Sequence, residues 1–497
     1  MAATASFPQR WLAVALLALS SCLAAHAQEA SRPLDGAGLV ADVDLLERAY
    51  TRLHPGLYRY ATPAQTRRRF DALRKELRGG ATLADAFLAL SRFSATVRCG
   101  HTQANFFNQS PALQKALLES GRTRLPFQFR WLEGRMVITR NGSSDASLVP
   151  GTQVKAIDGV PTATVLARLM PLARADGGND SKRVAQMEVH GLDRYEAFDV
   201  YLALLYPEFG DNFRLRVRSP GDAADRIVAV RGFTIDERRA MSGGAGSEPN
   251  APAWSLQHPR AGVALLRMPD WALYDSNWDW RADLRATFAR LGKEGTTTLV
   301  IDLRGNEGGL SVGDELLAYL SARPLPLLRY RQQVRYRTVP APLLPFLKTW
   351  DKSFQDWGED AQPLDGHWFT LTRWRPADAA DILQPKSPRF TGKVLVLVDA
   401  ANSSATFEFA NQLKASGLAT LIGSTTGGNR RGINGSAFFF LTLPHSGIEL
   451  DLPLVAQFPT TEQPDAGVEP DVRVVETAED LAAGRDAVME KAMSLAK

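Results

Sequence analysis

The sequence predicts an α/β core with largely parallel strands, preceded by a helical segment and a run of short strands. Three observations predict it. Apolar stretches at 262–268, 298–303 and 394–398 alternate with helical patterns, the order that winds a parallel sheet. The last two of these stretches run directly into turns that open helices. Upstream, 3.6-residue periodicity holds in pieces from Leu39 to about Phe93, then gives way to short strands between Leu125 and Phe233.

The elements follow in order. Arg10 precedes the apolar run from Trp11 to Leu19, and Ala25-His26-Ala27 supplies a small-x-small cleavage pattern, so residues 1–27 read as a signal peptide with the mature chain starting near Gln28. Leu19-Ser20-Ser21-Cys22 offers a second reading, a lipoprotein signal that would leave a lipidated Cys22 on a membrane. Either route exports the protein to a bacterial periplasm or beyond, free or anchored to the envelope. No later run is apolar and long enough to span a bilayer.

Residues 35–120 are expected to form a helical domain, with His54-Pro55-Gly56 as the turn after its first helix. Residues 121–235 are expected to be rich in β-structure. Within them, Val149 to Pro161 is similar to the Gly-x-x-Ile-x-x-Ile-Asn-Gly signature of PDZ domains, whereas Arg124-Leu125-Pro126-Phe127 matches a carboxylate-binding loop poorly, so the copy is degenerate. A β-hairpin turning at Asp158-Gly159 accounts for the same residues locally. Met241 to Pro252 is a Gly/Ser/Pro-rich linker, and the catalytic core should occupy 254–480. Inside it, Leu343 to Pro388 is long, tryptophan-bearing and irregular, as an insertion or lid would be.

A chain of 497 residues with 45% hydrophobic content can bury several cores. Its 58 basic and 54 acidic residues are interspersed, and no basic run is interleaved with aromatics, so nothing points to nucleic acid. Scattered histidines without His-x-x-x-His or Cys-x-x-Cys spacing argue against a metal site. Of the two cysteines, Cys22 would be removed or lipidated, which leaves Cys99 as a structural thiol.

Chemistry is concentrated in two turns. Val394 to Val398 is a buried strand followed by Asp399-Ala400-Ala401-Asn402-Ser403-Ser404-Ala405, which opens a helix. A helix N-terminus offers unpaired N–H groups and a positive dipole, so it can hold a serine nucleophile beside donors for an oxyanion; an ordinary serine N-cap is the alternative. Leu299 to Asp302 likewise leads into Leu303-Arg304-Gly305-Asn306-Glu307-Gly308-Gly309, whose paired glycines let the backbone approach a neighbouring site.

Together these motifs resemble the core of the C-terminal processing (tail-specific) serine peptidases, over roughly Trp254 to Val474. The resemblance implies a ClpP/crotonase-like core, Ser404 as nucleophile, and an oxyanion hole from Ala405 and the Gly308-Gly309 turn. One branch of that family uses a lysine base in a Gly-x-Thr-x-Gly-Lys loop. Here the matching loop reads Gly423-Ser424-Thr425-Thr426-Gly427-Gly428-Asn429, and Asn429 stands at the lysine position. Arg430 and Arg431 cannot act as base, because a guanidinium keeps its proton. The tricorn-like and retinoid-binding-protein-like branch carries a Gly-His-Thr motif, present as Gly100-His101-Thr102. His101 is therefore the expected base, and Glu462, with Asp465 as fallback, the expected orienting acid ahead of Gly467-Val468-Glu469-Pro470-Asp471. The resemblance implies a peptide or protein substrate and no cofactor or metal. A decayed binding protein on the same scaffold, taking an apolar ligand or peptide, is the competing expectation.

Overall fold

In the computed structural model the described residues are 29–496, apart from 120, 192, 242–251, 329 and 375–381. The expected signal segment, with Cys22, and most of the expected linker lie outside them.

The C-terminal half is organised by a six-stranded sheet. Its central strand, Thr298–Asp302, is buried throughout and pairs in parallel with Val263–Arg267 on one side and Lys393–Val398 on the other. Thr420–Gly423 and Val472–Arg473 continue the parallel order, and Ser255–Arg260 closes the far edge antiparallel. Side-chain alternation explains why these strands read as unbroken apolar runs. Leu299, Ile301, Val394 and Val396 face the helices Trp280–Lys293, Val312–Leu320 and Ser404–Ser416, whereas Val300, Leu395 and Leu397 face the helix Ala487–Leu495. With both faces covered, no polar side is left.

A second six-stranded sheet, wholly antiparallel, was not anticipated. It runs in the order Leu347–Lys348, Asn434–Thr442, Glu449–Pro459, Tyr330–Val334, Trp368–Leu371, Ala361–Asp365. The segment Leu343 to Pro388, expected as an insertion or lid, thus supplies three of its strands, and Trp357 is buried beneath them.

This second sheet shares one continuous hydrophobic core with the N-terminal helices Gly36–Leu53, Pro63–Leu77 and Leu83–Thr96 and with the sheet built from Phe127–Leu132, Arg135–Asn141, Gln153–Ile157, Asn212–Arg218 and Arg226–Arg231. His54 ends the first helix as its C-cap. Asp158 and Gly159, both at positive φ, turn Gln153–Ile157 into Val160–Pro161, which is the local hairpin.

Candidate active site

Ser404 is set by the turn before it. Asn402 is fully buried: its Nδ2 donates to the carbonyls of Leu303 (2.6 Å) and Asn306 (3.0 Å), and its Oδ1 accepts from the N–H of Asp399 (2.8 Å). Asp399 in turn accepts from the N–H of Gly305 at 3.0 Å. Burying an amide requires that its donors and acceptors be met, and here meeting them binds the two glycine- and serine-bearing turns into one unit.

The helix that follows is not capped by a side chain. Ser403 occupies the N-cap position without a side-chain cap bond, and its Oγ donates to the carbonyl of Glu307 at 3.1 Å. Ser404 is the first helical residue at φ +51°, a region that non-glycine residues rarely enter, and among the described residues its Oγ has no hydrogen-bond partner. The two serines therefore divide: one is tied, the other is half-exposed and held in a strained conformation at a helix end.

The glycine turn lies against this point. A Cβ on Gly308 would fall 2.8 Å from Cβ of Ser404 and 3.0 Å from the N of Ala405; one on Gly309 would fall 2.2 Å from the backbone of Trp271. The N–H of Gly308 donates to Oδ1 of the buried Asn306 at 2.9 Å, and Asn306 also accepts from Oγ1 of Thr406 at 2.8 Å. Among the described residues the N–H groups of Ala405 and Gly309 have no acceptor. Gly308 shapes the corner, and Gly309 is the glycine of the pair whose donor stays free.

His101 lies in the segment after Leu83–Thr96, and its neighbours fix it. The Gly100 N–H donates to Oδ1 of Asp176 at 2.8 Å, and Arg174 donates to the Gly100 carbonyl. Asn434 Nδ2 donates to Sγ of the buried Cys99 at 3.2 Å. Nδ1 of His54 accepts from the Gly56 N–H (2.9 Å), so its Nε2 carries the proton and meets Oγ1 of Thr102 at 2.7 Å. The His-Pro-Gly turn thus braces the residue after His101. The imidazole packs on the Phe438 ring at 5.7 Å, and its buried Nδ1 has no hydrogen-bond partner.

Four groups that the sequence reading missed join His101 to the serine turn. Lys182, buried on the short helix Asp180–Gln186, donates to Oε1 of Glu307 (2.5 Å) and to the carbonyl of Ala401 (2.9 Å); Arg174 reaches Oε2 of Glu307 at 3.4 Å. Desolvation opposes the charge on Glu307, but Lys182 and Arg174, with a smaller contribution from His101, bring its carboxyl down to about 2. For His101, burial pushes the pKa below the usual imidazole range; Arg174 and Lys182 act the same way, while Asp176 and Glu307 oppose them. Burial thus favours the neutral form of the ring.

The expected acids lie elsewhere. Glu462 is exposed and lines a surface groove with Arg59, Arg331, Arg431 and Phe458. Asp465 accepts from Gly178 N–H (2.8 Å) and from Asn429 Nδ2 (2.6 Å), and Asn429 Nδ2 also reaches the Asp176 carbonyl at 3.2 Å. Neither carboxylate bonds to the His101 ring. Phe407 is buried in the core against Gly428. Asp302 and Arg304 pair through two 2.9 Å bonds, which brace the turn.

Residues 262–474 match the family model for peptidase family S41. The chain carries a serine peptidase domain. Mature CPAF bound to lactacystin is similar in fold, with a TM-score of 0.62 at 16% identity over 93% of this chain and 98% of that one. A second structure of mature CPAF gives a TM-score of 0.62 at 17% identity, covering 93% and 97% of the two chains. The photosystem II D1 C-terminal processing protease aligns at a TM-score of 0.39 and 14% identity over 89% of this chain and 94% of its own. No curated protein matches the sequence.

Proposed function

We propose that the protein is an exported serine peptidase that cleaves peptide bonds through an acyl-enzyme on Ser404. The observation that carries this reading is the untied Ser404 hydroxyl at φ +51°, at an uncapped helix start beside the free N–H groups of Ala405 and Gly309. Ser404 Oγ attacks the peptide carbonyl carbon and its proton passes to His101; the oxyanion is held by Ala405 and Gly309, in a corner shaped by Gly308. Collapse of the tetrahedral intermediate expels the amine, which takes the proton back from the imidazolium. Water, deprotonated by His101, then hydrolyses the ester. In this reading His101 is oriented by its pinned backbone and by Phe438, with Asp176 as the main charge favouring its imidazolium, in place of Glu462.

Export through residues 1–27, or lipidation at Cys22, a ClpP/crotonase-like core and a PDZ-like character for the β-rich segment 121–235 belong to the same proposal. A fluorophosphonate probe tests its centre. Covalent labelling at Ser404, lost in Ser404→Ala along with turnover of a denatured protein substrate, is expected. A wild-type chain that cleaves nothing and takes no label near neutral pH would refute the peptidase reading and leave the binding protein.

A further inference from the structure

Strand Asn434–Thr442 breaks the rule for a sheet with one face in the core. Ala437, Phe439 and Leu441 are buried, as alternation requires, but the opposite face carries Phe438 and Phe440, both only half-buried. A bulge causes this register: pairing with Glu449–Pro459 shifts between Gly435 and Phe438, and Ser436 takes φ +63°. Bulges of this kind re-aim side chains beside functional sites.

The Phe438 ring lies against the candidate base, 5.7 Å from the His101 ring. Trp350, just past the edge strand Leu347–Lys348, stands 5.9 Å from Phe438 and 5.8 Å from Phe440, is anchored by Phe354 at 5.5 Å, and is still 60% exposed. An aromatic ramp thus starts at His101 and runs outward along the sheet, flanked by the polar Ser436 and Thr442. Apolar surface of this kind in water, continuous with a catalytic group, marks a binding surface.

We propose that Phe438, Phe440 and Trp350 form the subsite that receives apolar side chains of the peptide being cut, on the His101 side of Ser404. The inference rests on the peptidase reading above, and the experiment separates the two. The full chain carrying Ser404→Ala is titrated with two fluorescein-labelled peptides of equal length and charge, one with Phe and Leu at its centre and one with Ser and Asn. The apolar peptide should bind about tenfold more tightly, the effect of burying one large side chain. Adding Trp350→Ala or Phe440→Ala should remove most of that difference, and Trp350→Phe should keep it, with thermal melts confirming folded protein.

Equal binding of the two peptides, binding of neither, or a preference that survives both alanine variants would overturn the subsite. Sedimentation that shifts from dimer to monomer in Trp350→Ala with unchanged peptide preference would also overturn it and assign the patch to a second copy. Discriminating binding in a chain whose wild-type Ser404 takes no fluorophosphonate would retain the subsite and sink the peptidase.

Discussion

Single residues at the site are held in conformations that only the surrounding bonds enforce, and this makes them sensitive to small changes. Gly308 has φ +106°, and a methyl there would press on Ser404 and Ala405. Gly308→Ala should lower kcat at least about 100-fold and cost roughly 1–3 kcal/mol of stability, read by steady-state hydrolysis and urea unfolding. Ser404→Gly should abolish turnover yet stabilise the fold by about 1 kcal/mol, because it releases the φ +51° strain; unchanged or lower stability would show that the backbone there is unstrained. The pH dependence follows from His101. Its pKa lies below the ordinary imidazole value, so with His101 as the proposed base kcat/KM should fall only as pH drops through that lowered pKa. His54 is depressed to about 3, chiefly by burial, so it binds protons unfolded but not folded between about 6.5 and 3, and its contribution to stability is present above that window and lost as pH falls through it. The helix start after Val398 was legible because a buried apolar strand runs into it, and Ser404 was singled out by the family resemblance alone. The separate fates of Ser403 and Ser404, and of Gly308 and Gly309, were not, because they depend on Asn306 and Glu307 across the turn.

Between elements, the short helix Asp180–Gln186 does what no spacing in the sequence announces. Lys182 projects from it onto Glu307 and the Ala401 carbonyl, and Asn179 at its N-cap donates to the carbonyls of Thr426 (2.8 Å) and Gly428 (2.9 Å). Charge arithmetic gives a paired test. Lys182→Met removes a cation that disfavours the imidazolium, so the acid limb of the kcat/KM profile should move to higher pH; Glu307→Gln removes an anion and should move it lower. Shifts in the same direction, or none, would place His101 outside this network. The parallel strands were legible because both their faces are buried and their residues are continuously apolar. The antiparallel sheet was not: eight consecutive residues of Glu449–Pro459 are buried and phenylalanines stand on both faces of Asn434–Thr442, so the expected alternation is erased. Its three strands from the segment Leu343 to Pro388, two to five residues long, gave no period at all.

At the scale of the whole molecule, the expected succession of helical, β-rich and catalytic units describes the chain order but not the packing. The helical and β-rich segments share one core with the antiparallel sheet, which is itself threaded through the catalytic region. Buried polar contacts seal the junction. Asp42 accepts from the N–H groups of His445 (3.0 Å) and Ser446 (2.8 Å), and Gln109 exchanges bonds with the Glu449 backbone. Arg59 donates to carbonyls of Gly432 and Ile433. Since His101 comes from one side of this junction and Ser404 from the other, activity should follow the junction and not the covalent connection between 241 and 252. A protease site placed within 242–251 and cut in the folded protein should therefore leave two pieces that co-elute, with activity within about twofold of the intact chain, because separating them would expose a continuous apolar core. Residues 254–497 produced alone should be inactive and aggregation-prone, since they lack His101 and lay bare the inner face of the antiparallel sheet. Fragments that part in native buffer, or a C-terminal fragment that hydrolyses protein unaided, would show that the base does not come from the amino-terminal half.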